Sequence, residues 1–99
     1  MKTLHSPTIV VFRHWDKEVI ALFPEIASDQ QGNCESYMHV GQHGGANYDG
    51  IVQKSRPATP SEYFSLAKEL QSEPYCYNLE IRQRATPQMR TRRLEDARN

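Results

Sequence analysis

The 99 residues, 37% of them hydrophobic, are enough for one domain with a thin core and no more. Twelve Lys and Arg offset twelve Asp and Glu, so the formal charge is zero. No apolar run approaches a membrane span, and the opening residues lack the apolar stretch of a signal peptide, so residence in the cytoplasm without membrane contact is expected.

Residues 1–7 read as a lead-in. Thr8 to Trp15 (TIVVFRHW) is rich in β-branched and aromatic residues and predicts a strand. After a polar turn at Asp16, Lys17 and Glu18, Val19 to Phe23 predicts a second strand that ends near Pro24. Both alternating sets of this hairpin are apolar, so both of its faces need cover. Residues 27–33 (ASDQQGN) read as a loop. Glu35 to Val40 predicts a third strand, with Cys34, Ser36 and Met38 toward the core and Tyr37 and His39 sharing the other face.

Gly41 to Tyr48 is too rich in glycine for a helix, and Asn47 to Ser55 has room for one or two helical turns. Thr59-Pro60-Ser61-Glu62 is a helix start: a capping threonine, a proline suited to the first position, and a glutamate that completes a capping box. Tyr63, Leu66, Ala67 and Leu70 then form one apolar stripe. Tyr75 to Arg84 alternates and predicts a strand buried on its Tyr75, Tyr77, Leu79 and Ile81 side. Beyond it, Arg90, Arg92, Arg93 and Arg98 face only Glu95 and Asp96, and Thr86-Pro87 can open a last helix. The expected fold is α+β: a three- to four-stranded antiparallel sheet with one main helix on one face, in the order β-β-β-(short α)-α-β. The domain spans residues 1–84, and residues 85–99 form a basic tail, helical or disordered. A homodimer, this tail or another protein is expected to cover the second face.

Three chemistries suggest themselves. Cys34, His39 and His43 have a C-x4-H-x3-H spacing that would suit zinc, and Cys34 with His39 could form a nucleophile–base pair in a small hydrolytic enzyme. Side chains five apart on a strand point to opposite faces, which opposes both readings. Arg13, Trp15, Tyr37, His39, Gln42 and His43 could form an aromatic and basic surface for a protein partner. Arg90, Arg92 and Arg93 are the candidates for nucleic acid, although no basic stripe is consolidated. The two cysteines, Cys34 and Cys76, are expected to be free thiols.

The stretches Ser36–Gly45 (SYMHVGQHGG) and Arg56–Tyr63 (RPATPSEY), with Val11–Trp15 and Ala21–Glu25, resemble a family of short uncharacterised bacterial proteins. The resemblance covers roughly residues 8 to 84 and implies association with plasmids, phages or other mobile elements. It implies no activity and no catalytic residues. The expected function is therefore a non-enzymatic binding module, dimeric or held by a macromolecular partner, with inhibition of a host protein as one outcome.

Overall fold

The doubly apolar hairpin of residues 8–23 becomes the centre of a sheet. The computed structural model describes residues 7–15, 17–39 and 42–98. In it, β1 (Thr8–Trp15) pairs antiparallel with β2 (Glu18–Ala27) from Val11↔Leu22 to Trp15↔Glu18. Lys17, at φ 68, closes the turn; its neighbour Asp16 lies outside the described residues. β3 (Cys34–Met38) pairs antiparallel with β2, and β4 (Gln42–Ala46) with β3. There follow α1 (Tyr48–Lys54), β5 (Arg56–Pro57), α2 (Pro60–Gln71), β6 (Leu79–Arg82) and α3 (Pro87–Arg98). The strand order is β4-β3-β2-β1-β5, and β6 runs parallel to residues 8–11 of β1, while every other pairing is antiparallel.

The fold is thus α+β, but among the described residues its sheet has six strands rather than three or four. The additional strands are β4, read as a glycine-rich loop, and the two-residue β5, read as a connection. Neither has the side chains that mark a strand, and both are drawn into the sheet by the backbone groups of a neighbour. β2 also runs past Pro24. The register shifts between Phe23 and Ala27, which takes the missing proline N–H out of the ladder.

On one face of the sheet Val10, Phe12, Ala21, Phe23 and Tyr37 pack under Leu66, Ala67 and Leu70 of α2. Phe12 stacks on Tyr63 at 4.5 Å and Phe23 on Tyr77 at 5.3 Å. On the other face Val11, Ile20, Leu22 and Cys34 meet Ala46, Tyr48, Ile51 and Val52. The cover missing from the second face is therefore internal. α1 supplies part of it, and α3, the basic tail, packs along β2 with Met89 and Arg93 buried. The loop before β3 accommodates α3 through Gly32, at φ +88, where a Cβ would lie 2.7 Å from Leu94 Cδ2.

The α2 start is capped as the residues foretell. Thr59 and Glu62 exchange side chain to backbone bonds in a capping box with Pro60 behind them. Arg56 adds a two-pronged bond to Glu62, at 2.8 and 2.6 Å. The Arg56 bond, with the Thr59 backbone N–H, holds the Glu62 carboxyl down to about 2. Because the folded value lies below the ordinary 4.5, this contribution is complete above pH 4.5 and fades as pH falls through 2. Glu62→Gln should flatten the pH dependence of urea stability across that window.

No helix among the described residues is long and apolar enough to cross a membrane.

Candidate functional site

The β3–β4 end of the sheet brings Tyr37, His39, His43, Glu69 and Tyr75 together. Strand alternation aims Tyr37 at α2, where its hydroxyl donates to the Glu69 carboxylate. The same oxygen lies 3.3 Å from the Tyr75 hydroxyl. His39, just beyond β3, sets Nδ1 2.7 Å from Glu69 Oε1. An ionised carboxylate only accepts, so Nδ1 carries the proton and Nε2 turns outward. His43 pairs across from Tyr37, meets its ring edge-on at 4.7 Å, and lies 5.5 Å from Tyr75. One glutamate thus ties the end of β3 to α2 and orients an exposed imidazole. With the proton on Nδ1, Nε2 of the ring is left as a hydrogen-bond acceptor.

The opposite face of the same strands carries a groove of about 330 Å³. Trp15, Met38 and Ile51 wall it, and Ser36, Gly44 and Ala46 lie along β3 and β4. Ser36 Oγ donates to Gly44 O at 2.8 Å. A Cβ on Gly44 would meet nothing within 4 Å. The groove and the ring cluster therefore flank β4, one on each face.

The expected surface of Arg13, Trp15, Tyr37, His39, Gln42 and His43 is divided and partly buried. Tyr37 is 0% exposed and belongs to the core under α2. It is expected beside His39 on an open face, but α2 covers that face of β3 at Tyr37. Arg13 is 7% exposed and points to the face away from Tyr37. Its guanidinium bonds Ser55 Oγ at 2.8 Å, Ser55 O at 2.7 Å and Val52 O at 3.1 Å, closing the C-terminal end of α1. Trp15 is half-buried at the groove. His39 and His43 are exposed on the Tyr37 side. Gln42 opens β4, but its side chain, like Val40 and Gly41, lies outside the described residues.

The zinc and nucleophile sets do not assemble. Cys34 is 0% exposed on the face opposite His39 and His43. Burial pushes its thiol up to about 11, against a smaller opposing pull from Arg93. Among the described residues no group of three or more His, Cys, Asp or Glu could hold a metal ion. Cys76 is exposed and not bonded to Cys34. A thiol reagent at neutral pH should therefore label Cys76 alone, and label Cys34 only when denaturant is added; equal labelling of both in native protein would contradict the burial.

The nucleic-acid set also divides. Arg93 is buried, donating to Gly32 O at 2.8 Å and Pro24 O at 3.0 Å, with its guanidinium 5.7 Å from the Tyr48 ring centre. Arg90 and Arg92 remain exposed, and Arg92 sits 3.9 Å from Glu25. A larger cleft of about 730 Å³ lies beside Arg92, Glu95 and Asp96. Two of its charged groups already serve internal contacts, Arg92 beside Glu25 and Asp96 accepting the Ala27 N–H at 2.8 Å.

Residue patterns missed Glu69 and Tyr75. Glu69 sits on the flank of the α2 stripe, beside Leu66 and Leu70, as any solvated glutamate would. Only the docking of α2 over β3 brings it to Tyr37 and His39. No protein-family model, curated protein or solved structure matches the chain.

Proposed function

We propose that this chain is a non-enzymatic binding module that meets a macromolecular partner at its β3–β4 end. One observation carries the reading. Among the described residues β4 is the outermost strand on its side of the sheet, and Gly44 and Gly45 bring it no side chains of their own. Next to it lie the exposed His43 ring and the half-buried Tyr75 ring on one face and an open groove on the other. Such edges attract other chains unless they are blocked. The motive for a homodimer, an uncovered second face, is removed by α1 and α3. The mobile-element resemblance supports a host protein as the partner, with inhibition as the consequence.

The test is co-purification from the host, read by mass spectrometry. The wild type should retain a specific partner, which His43→Lys with Tyr75→Ala should lose. Phe64→Ser, on the exposed outer side of α2, should keep it. A partner lost only by the Phe64 variant would move the site elsewhere, and no specific partner at all would overturn the reading.

A further inference from the structure

The two edges of the sheet differ in how they are protected. The β1 edge is occupied by β5 and β6, which bring Arg56, Pro57, Glu80 and Arg82. Charge and proline on an edge strand are the ordinary devices against pairing with another chain. β4 (QHGGA) has no charged residue, no proline and two adjacent glycines. Alternate residues of an edge strand turn their N–H and C=O groups away from the sheet, ready for a further strand.

The flanks of β4 specify what such a strand would present. Side chains of an added strand alternate between the two faces. Those on the Gly44 face meet the groove walled by Trp15, Met38 and Ile51, and no side chain at Gly44 obstructs them. Those on the other face meet Ser28 with two carboxylates beside it. A Cβ on Gly45 would lie 2.6 Å from Ser28 Oγ and 3.7 Å from Asp29 Oδ2, and Glu35 pairs directly across from Gly45. Asp29 is held in its ionised form, chiefly by the Asn33 side-chain amide and further by backbone N–H groups. The Glu35 side chain has no hydrogen bond or ion pair among the described residues. The charge of this flank is complementary to a basic side chain.

We propose that β4 accepts an extended segment of a partner protein as an additional strand. Apolar side chains of that segment enter the Trp15–Met38–Ile51 groove, and a basic side chain between them faces Asp29 and Glu35. The inference rests on the binding-module reading and supplies its mode and the chemistry of its partner.

Two capped synthetic peptides test it, Thr-Val-Arg-Val-Lys-Val-Thr and the same peptide with both basic residues replaced by glutamate. The basic peptide should bind at least about ten-fold more tightly than the acidic one, and less so as salt rises. Its binding should slow amide exchange in residues 42–46 above all other segments. Gly44→Lys, whose new side chain has open space at Cβ, should keep the native circular dichroism and weaken binding at least about ten-fold by placing charge on the edge. Equal affinity for the two peptides would overturn the proposal. So would failure of the basic peptide to bind at millimolar concentration, or protection centred away from β4. Concentration-dependent protection of β4 in the protein alone would assign the edge to a second copy and overturn it as well. A host partner captured equally by wild type and Gly44→Lys would refute strand addition while leaving the binding-module reading intact. Capture of no partner would refute that reading itself.

Discussion

Replacing Arg93 by methionine is expected to lower the unfolding free energy by about 2–5 kcal/mol. The methionine keeps much of the stem but none of the donors. Pro24 O and Gly32 O, which Arg93 serves at 3.0 and 2.8 Å, lose those bonds in a buried setting. Removing the buried guanidinium also relieves a desolvation cost, and a fully apolar replacement of a buried ion pair is often tolerated. Here the partners are fixed backbone carbonyls that the substitution does not remove, so their loss should dominate. The cation–π contact over Tyr48 goes as well. Arg92→Met, at an exposed neighbour, should change stability by no more than about 0.5 kcal/mol. Urea denaturation of both variants checks this; equal effects would show that Arg93 is not a clamp.

Ending the chain after Arg84 should have a larger effect. It removes the buried Met89, worth about 1.5–3 kcal/mol, together with the Arg93 bonds. It also removes the Ala85 N–H that donates to the Tyr48 hydroxyl at 2.8 Å and the Asp96 bond to Ala27. The sum approaches the whole stability of an ordinary domain, about 5–15 kcal/mol. It also uncovers much of the face formed by Val11, Leu22 and Cys34. The truncated chain is expected to lose cooperative melting, bind a hydrophobic dye and self-associate. A cooperative melt within a few degrees of the full chain would show that α3 is not essential cover.

Local residue chemistry made the centre of this fold legible. The apolar alternation of β1 and β2, the Thr59–Glu62 capping box and the stripe of α2 each follow from side chains a few positions apart. What escaped local reading depended on distant partners. The tail is only one of three candidates for the missing cover on residue chemistry alone, because part of what α3 supplies is an arginine whose guanidinium is satisfied by carbonyls far away in the chain. β4 looked like a loop because glycines carry no strand signal, although β3 pairs with it throughout. Strand parity separated Cys34 from His39 correctly, but it could not show that Tyr37 is roofed by α2 and held by Glu69. Residues 34–45 remained the region of interest. Their meaning moved from exposed aromatic side chains to an edge of backbone with side chains on both flanks.

Amide hydrogen exchange on the complex with the co-purified host partner tests the central claim most directly. Binding at the β3–β4 end predicts that residues 42–46 gain the greatest protection, with smaller gains at residues 35–39 and around Tyr75. Protection centred on the outer face of α2 or on α3, with β4 exchanging as fast as in the isolated protein, would contradict it.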